Sequence, residues 1–367
     1  MRKITTLAAV GGLTLSLALT GCGSSDNTTA GDSTSPSTTP SSAAPQYPDF
    51  KACMVSDTGG FNDHSFNETS LAGLTQAGTT YGVQVSKLQS NADSDYATNL
   101  ATLATQGCQE VTSVGFLLAD ATLDAAKKNP SIDYAIIDNE YTNKDGSQAT
   151  VPANLKELLF ATDEAAFLGG YLAAGTTKSG VIGTMGGVEI PSVTIYMDGF
   201  LKGINQYNKD NGTTVKLLGW DGSKGAFSND FGDVSKCKSI AQTQIQQGAD
   251  IEFPVAGGCG EGALQAAKAA GDLGIWVDTD GYDSEPDYKS ILLASVEKRV
   301  DVATIEGVKE AASGTWSNTP YIGTLANEGV SLSSLHDFQS VVPQALQDKI
   351  ADYQKQIIAD PSAFGLS

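Results

Sequence analysis

The chain has 367 residues, with 42 Asp or Glu against 22 Lys or Arg, so its formal net charge at pH 7 is −20. Such an acidic chain is a poor electrostatic partner for nucleic acid or for an anionic membrane surface, and both are excluded as partners. From Gln46 to Ser367 about 320 residues remain, which is enough for one large core or for two lobes.

The amino terminus has the pattern of a secretory signal. The opening MRK carries two positive charges, and residues 4–19 follow as an uncharged, apolar stretch that is short for a membrane span. It ends in LTGC at residues 19–22, which resembles the lipobox of bacterial lipoproteins. We therefore expect residues 1–21 to be removed and Cys22 to carry a lipid anchor. The alternatives are an ordinary signal peptide and a retained transmembrane helix.

Cys22 and the segment that follows it form residues 22–47. This segment is almost wholly Ser, Thr, Pro, Gly, Ala and Asp. It cannot bury enough apolar surface to offset its ordering entropy, so we expect a disordered tether. Anchor and tether together predict a body held at the extracytoplasmic face of the cell membrane.

From residue 48 onward, short apolar runs alternate with longer helical stretches. Strands are predicted at residues 52–56, 82–88, 110–116, 134–138, 180–185, 215–220, 251–256 and 275–278, with one or two more in the tail. Helices are predicted at residues 66–78, 95–106, 119–129, 163–176, 191–208, 235–247, 261–270, 298–313 and 342–358. This alternation indicates parallel sheets with helices on both faces, and two such α/β units in series predict two lobes facing a cleft.

Candidate site residues follow the predicted strands, because ligands of open α/β sheets bind beyond the carboxyl ends of the strands. The candidates are aspartates, aromatics and glycines: Asp57, Gly59, Gly60, Asn62, Asp63, Phe66, Asp138, Gly186, Gly187, Trp220, Phe227, Phe231, Gly257, Gly258, Asp278 and Asp280. Carboxylates accept hydrogen bonds from hydroxyls, aromatic faces stack on flat rings, and glycine lets backbone approach a ligand. The set predicts a polar ligand with a ring and paired hydroxyls, although any single member could be a helix cap or a turn residue.

Enzymatic functions fit the sequence poorly. It has no GxSxG, no Walker loop and no well-placed GxGxxG, and two histidines without a CxxC give no metal-ligand spacing. Neither a metal nor a cofactor is expected. Asp278 and Asp280 leave open a surface hydrolase acting on a sugar or a nucleoside.

Four cysteines remain when Cys22 is set aside for lipid. In an oxidising compartment they allow two disulfides, with three possible connectivities. Because each half of the chain holds two cysteines, we expect the pairs Cys53–Cys108 and Cys237–Cys259.

Between Lys51 and Leu332 the chain resembles the basic membrane protein family of substrate-binding lipoproteins. The segments that carry the resemblance are VSDTGGFNDHSFNETSLAGL, ATDEAAFLGGYLAA, IGTMGGVEIPSVTIYMDGFLKG, GADIEFPVAGGCGEGAL, and VDTDGY followed by LLASVEKRVDVA. The resemblance implies a type I periplasmic-binding-protein fold, with two Rossmann-like lobes joined by a hinge around a central cleft. It further implies a nucleoside ligand, a purine nucleoside in the first instance, and an ABC transporter permease as partner.

The resemblance also implies roles for individual residues. The ligand-binding set is Asp57, Asn62, Asp63, Phe66, Asp138, Phe231, Gly257, Asp278 and Lys298. Within it, Asp57 and Asp138 would face the base, together with Asn62 or Asp63. Asp278 and Lys298 would hold the ribose. Gly257 would contribute a backbone contact with the ligand. Phe66 would stack on one face of the base and Phe231 on the other, with Trp220 and Phe227 as alternatives to Phe231.

The implied lobes are residues 48–159 with a return segment at about 286–316, and residues 160–285 with residues 317–367. A monomer is expected. Another ligand in the same fold, such as a sugar, riboflavin or a signal molecule, remains the main alternative.

Overall fold

The structure is a computed structural model that describes residues 44–367. The expected signal peptide, the lipidated Cys22 and most of the expected tether lie outside the described residues. Within residues 44–367, no helix is both long and apolar enough to cross a membrane.

Strands and helices alternate along most of the described chain. The strands are β1 (Lys51–Ser56), β2 (Gln84–Leu88), β3 (Glu110–Val114), β4 (Asp133–Ile137), β5 (Leu155–Phe160), β6 (Val181–Gly186), β7 (Lys216–Leu218), β8 (Ile251–Val255), β9 (Leu273–Asp278), β10 (Leu292–Lys298), β11 (Tyr321–Gly323) and β12 (Val330–Leu332). The helices are α1 (Phe66–Tyr81), α2 (Tyr96–Thr105), α3 (Ala119–Lys128), α4 (Thr162–Thr176), α5 (Pro191–Asn211), α6 (Val234–Gln246), α7 (Glu261–Ala270), α8 (Gly281–Ser284), α9 (Val300–Ser313) and α10 (Gln344–Ala359).

The strands form two six-stranded sheets with equivalent strand orders. Their orders are β11-β5-β4-β3-β1-β2 and β12-β10-β9-β8-β6-β7. Neighbouring strands are parallel, except that β12 runs antiparallel to β10. The predicted fold class of two α/β lobes is therefore confirmed, and each strand of one sheet has a positional equivalent in the other.

Two strands escaped the sequence patterns, and each of them contains a buried lysine. The sequence of β5 is LKELLF, in which Lys156 and Glu157 are both buried, and Lys156 Nζ donates to Glu310 Oε2 of α9 at 2.5 Å. The sequence of β10 is LLASVEK, which ends in the buried Lys298.

The return segment differs from the expected 286–316. Strand β10 lies in the second sheet, between β9 and β12, so residues 292–298 do not belong to the first lobe. Helix α9 packs on α1 so closely that a Cβ added to Gly73 would lie 2.6 Å from the carbonyl oxygen of Asp301. Strand β11, which was expected in the second lobe, pairs with β5 in the first sheet. The segment that returns to the first lobe therefore consists of α9 and β11, because β10 pairs with β9 in the second sheet.

Helices α4 and α5 make the tightest helix contact of the second lobe. Residues 162–174 of α4 are buried around the whole helix. A Cβ added to Gly170 would collide with the carbonyl oxygen of Phe200, and one added to Gly203 would collide with that of Phe167. The backbones can touch only because these positions lack a side chain, which fixes α5 and the cleft residues that it carries.

Both expected disulfides are present. Cys53 of β1 is bonded to Cys108, which precedes β3, with a Cα–Cα distance of 6.0 Å. Cys237 of α6 is bonded to Cys259 in the 3₁₀ turn Gly257–Gly260, with a Cα–Cα distance of 5.6 Å.

Candidate ligand-binding site

A cavity of about 490 Å³, including its opening, lies where the carboxyl ends of the strands of both sheets meet. The lining comes from both lobes: Asp57, Asp63, Phe66, Asn67, Gly115, Phe116, Asp138, Ile190, Ser192, Val193, Tyr196, Phe231, Val255, Ala256, Gly257, Val277, Asp278 and Lys298.

The structure brings together all but one of the residues expected to bind a ligand. Asn62 is the exception, because it is exposed and does not line the cavity. The asparagine that does line it is Asn67, on the first turn of α1. The contacts that the gathered residues make with a ligand stay a prediction.

Asp138 and Asp278 occupy equivalent places in the two lobes. Asp138 follows β4 and Asp278 ends β9, the third strand of each sheet in the orders given above. Both have a left-handed backbone, with φ of 65° and 67°, which few residues other than glycine adopt. Aspartate tolerates this conformation, and the turn directs each carboxylate into the cleft.

Lys298 holds the two equivalent carboxylates together. Its Nζ donates to Asp138 Oδ2 at 2.5 Å and lies 3.5 Å from Asp278 Oδ1, and the residue is only 2% exposed. The Nζ also lies 4.6 Å from the centre of the Phe66 ring, within cation–π range. Burial alone would lower the pKa of the ammonium, but the carboxylates of Asp138 and Asp278 outweigh it and raise that pKa. Lys298 is therefore a buried permanent cation.

Tyr196 of α5 completes the surroundings of Asp278. Its hydroxyl donates to Asp278 Oδ1 at 2.8 Å, and its ring centre lies 5.3 Å from Lys298 Nζ. The cluster thus offers a carboxylate acceptor and an ammonium donor side by side, and hydroxyl groups can satisfy both.

The carboxylate of Asp57 has one engaged oxygen and one without a protein partner. Its Oδ1 accepts hydrogen bonds from Gly59 N and from Asn67 Nδ2, both at 2.9 Å. Within the described residues, Oδ2 accepts no hydrogen bond, and a Cβ added to Gly115 would lie 3.1 Å from it. Burial raises the pKa of Asp57 to about 6, although these hydrogen bonds act in the opposite direction.

Asp63 lines the cavity, but both of its carboxylate oxygens accept hydrogen bonds from residues at the start of α1. Its Oδ1 accepts from Ser65 N and Glu68 N, and its Oδ2 accepts from the backbone and side-chain nitrogens of Asn67. These bonds satisfy amide groups that a helix terminus otherwise leaves unpaired. Asp63 is thus the cap of α1, and it positions Asn67 and Phe66.

Of the three aromatic candidates for the second stacking position, Phe231 alone lines the cavity. Its ring lies against Gly187, where an added Cβ would collide with it. Trp220 and Phe227 pack edge to face, with ring centres 6.1 Å apart, and the indole of Trp220 donates to Asp198 Oδ1 at 2.8 Å. Those two rings belong to the packing around α5.

Sequence reasoning missed three polar lining residues, Asn67, Ser192 and Tyr196. Asn67 directly follows Phe66 in the SFN segment, so its neighbour was the available signal. Tyr196 follows Ser192 by four residues on α5, and residues with this spacing share one helix face. The turn of Gly186 and Gly187 that precedes α5 could have directed attention to that face.

The loop after β1 crosses the cleft and contacts the second lobe. Ser65 Oγ donates to Asp278 Oδ2 at 2.6 Å, and the indole of Trp276 donates to the carbonyl oxygen of His64 at 3.3 Å. The imidazole of His64 lies 3.3 Å from Glu285 Oε1. The structure is therefore a closed form. Within residues 44–367, no group of three or more His, Cys, Asp or Glu side chains is placed to hold a metal ion.

Two α/β lobes closed over a cavity that both of them line form the architecture of a protein that binds a small molecule between its lobes. The chain belongs to the Bmp family, described as PnrA-like ABC transporter substrate-binding proteins, whose family model matches residues 50–363. This confirms the resemblance, and it identifies the protein as an extracytoplasmic receptor of an ABC transporter and not an enzyme.

Relatives and solved structures agree with this family. The chain is 30% identical to the ABC transporter nucleoside-binding protein BmpA of Lactococcus lactis, over 72% of each chain. It is 28% identical to the CD4+ T-cell-stimulating antigen of Listeria monocytogenes, over 84% of this chain and 86% of that one. Its fold is similar to that of an ABC transporter solute-binding protein of Aeropyrum pernix, with a TM-score of 0.75 and 22% identity, over 84% of this chain and 91% of that one.

Proposed function

We propose that this receptor binds a nucleoside, a purine nucleoside in the first instance, and delivers it to an ABC permease. The observation that carries the proposal is that one cavity gathers the carboxylate of Asp57, the ring of Phe66 from the first lobe and Phe231 from the second. A Cβ added to Gly59 would lie 3.1 Å from Asp57 Oδ1 and 3.6 Å from Phe231 Cβ. A Cβ added to Gly115 would lie 3.1 Å from Asp57 Oδ2 and 3.4 Å from the Phe66 ring.

This arrangement suits a flat heterocycle with N–H groups on its edge. Stacking on aromatic side chains contributes about 1–3 kcal/mol per base. The free Oδ2 of Asp57 accepts a hydrogen bond, and an ionised carboxylate accepts only. A ring that presents an N–H donor at this position is therefore favoured over one that presents a lone pair.

The cluster of Lys298, Asp138 and Asp278 suits a sugar. Each hydroxyl of a ribose can donate to a carboxylate and accept from the ammonium. The buried carboxylates outnumber the one cation, so a phosphate group would meet net negative charge without compensation. This supports an uncharged nucleoside in preference to a nucleotide. The name of the Lactococcus lactis relative, a nucleoside-binding protein, supports the same class.

Isothermal titration calorimetry with a ligand panel tests the proposal. The panel holds inosine, guanosine, adenosine, cytidine, uridine, the free bases, ribose, riboflavin and guanosine monophosphate. We expect binding of purine nucleosides, weaker binding of the isolated base or sugar, and none of the nucleotide. At 100 times Kd a ligand stabilises the folded state by about 2.7 kcal/mol, so thermal shifts give an independent readout. Binding of free sugars or riboflavin without binding of nucleosides would refute the proposal.

We also propose that Cys22 carries the lipid that holds the receptor at the membrane and that the tether allows it to reach the permease. One acyl chain anchors only marginally, so a cysteine with several chains is required. The support is the LTGC sequence at the end of the apolar stretch. Cys22→Ser should release the protein from the membrane fraction. Continued membrane association of this variant after a salt wash would contradict the anchor.

A further inference from the structure

The disulfide Cys237–Cys259 joins two segments that both line the cavity. Cys259 lies in the 3₁₀ turn Gly257–Gly260, whose first residue is part of the lining. Cys237 lies on the first turn of α6, and the segment just before α6 carries Phe231. Both cysteines are fully buried.

The same two segments are also joined through the backbone. Cys259 N donates to the carbonyl oxygen of Phe231 at 2.8 Å, and Cys259 Sγ lies 3.0 Å from the carbonyl oxygen of Asp233. Asp233 in turn caps α6 by accepting from Ser235 N at 3.0 Å. The Phe231 backbone is therefore tied directly to Cys259 and to the start of α6.

Phe231 needs this support because it lies in an irregular stretch. Residues 219–233, between β7 and α6, belong to none of the helices and strands named above. Backbone without a helix or a sheet ladder must be held by individual contacts, because ordering it costs about 1–2 kcal/mol per residue. The stretch is hydrogen-bonded to the last residue of β6, where Gly186 N donates to Ala226 O at 2.9 Å and Ser228 N donates to Gly186 O at 3.0 Å, and Asp230 N donates to Gly187 O at 3.3 Å.

We propose that Cys237–Cys259 is a positioning element of the ligand site, which holds Phe231 and Gly257 in the binding arrangement before a ligand arrives. A site ordered in advance binds more tightly because the ligand does not have to order it. The proposal rests on the proposed function, in which this cavity is the ligand site.

The second disulfide provides a matched control. Cys108 precedes β3, at the amino end of the strand and away from the cavity at the carboxyl ends. Cys53–Cys108 closes a loop with a sequence separation of 55, against 22 for Cys237–Cys259. Longer loops gain at least as much stability from a crosslink. A purely structural role therefore predicts that removal of Cys53–Cys108 lowers the melting temperature at least as far, and that removal of Cys237–Cys259 has no greater effect on ligand affinity than removal of Cys53–Cys108.

The test compares Cys237→Ala/Cys259→Ala with Cys53→Ala/Cys108→Ala. For the first pair we expect inosine affinity to fall about tenfold, and for the second pair it should stay within about twofold, although its melting temperature falls at least as far. In the ligand-free protein, amide hydrogen exchange in residues 226–236 should rise about tenfold in the first pair alone. Circular dichroism establishes that each variant is folded.

Equal affinity losses in the two pairs, or unchanged exchange around Phe231, would overturn the proposal. If the wild-type protein binds no nucleoside, the proposed function fails, and the exchange comparison still decides the role of the disulfide. If the alanine pair does not fold, Cys237→Val/Cys259→Ala restores part of the lost volume and permits the same comparison.

Discussion

The hydroxyl of Ser65 donates a 2.6 Å hydrogen bond to Oδ2 of Asp278, although 213 residues separate the two. Ser65 stands at the start of α1 in the first lobe, and Asp278 ends β9 in the second. The bond therefore exists only while the lobes are closed. It also leaves Asp278 hydrogen-bonded at both oxygens, since Tyr196 donates to Oδ1.

Ser65→Ala should weaken ligand binding by making the closed form less stable. A hydrogen bond to a charged group contributes about 1.5–3 kcal/mol, so we expect Kd to rise at least about tenfold, mostly through faster dissociation. Stopped-flow measurement of ligand release checks this. Ser70→Ala is the control, because Ser70 lies on the same helix and its hydroxyl donates to the carbonyl oxygen of Phe66 within the first lobe. An unchanged dissociation rate in Ser65→Ala would exclude this role.

Lys298→Met should destabilise the protein strongly, because it leaves Asp138 and Asp278 buried without a counter-charge. Removal of one partner of a buried pair typically costs about 3–5 kcal/mol. Urea denaturation measures the loss, and Lys298→Met/Asp138→Asn should recover part of it. Lys309→Met is the control: its exposed pair with Glu306 should contribute less than about 0.5 kcal/mol. Similar losses for both lysine variants would contradict the buried cluster.

Ligand affinity should fall at acid pH because of Asp57. Burial raises the pKa of this carboxyl to about 6, and an N–H of the ligand donates a stronger hydrogen bond to the ionised form than to the protonated one. Affinity should therefore be constant above that pKa and fall up to about tenfold per pH unit below it. Calorimetry from about pH 5 to pH 8 gives the profile. Asp57→Asn should bind more weakly and without this dependence, whereas a flat wild-type profile would exclude Asp57 as the acceptor.

Global stability should have a separate pH dependence that arises from Glu110. Burial raises the pKa of this β3 carboxyl from 4.5 to about 8, and Oε2 has no hydrogen-bond partner in the described chain. Because the folded state raises the pKa, the stabilising contribution is complete below about pH 4.5 and is lost as pH rises through about 8, at up to about 1.4 kcal/mol per pH unit. Glu110→Gln should flatten this slope in denaturation experiments. Glu306→Gln, which changes an exposed carboxylate, should leave it unchanged.

Local patterns were sufficient to predict the order of most strands and helices, both disulfides and the end of the sheets where the cavity lies. The two missed strands show the limit of such patterns. Lys156 and Lys298 look like surface residues in sequence, and both become acceptable inside only because Glu310 and Asp138 lie across from them in the fold. Partners so distant in the chain leave no local signal.

The site shows the same limit. Asp63 and Asp57 are aspartates only six residues apart, yet both oxygens of Asp63 accept hydrogen bonds from the start of α1, whereas Asp57 keeps one oxygen free. Tyr196 reads as a core aromatic until its hydroxyl is placed against Asp278. Residue type, strand position and the family resemblance together identified most of the groups that gather in the cleft, and the hydrogen bonds of the fold determined which of them remain free.

The first lobe includes α9 and β11, which come late in the sequence, and this limits the order in which the two lobes can fold during synthesis. The chain passes between the sheets after β5, after β10 and between β11 and β12. The first lobe therefore lacks α9 and its edge strand until residue 323 has been synthesised, by which time nearly all of the second sheet is in place. Contacts between such distant parts of a chain form slowly. During synthesis, the half that begins first should be among the last to be finished, and a chain cut short before β11 would leave its opening half incomplete.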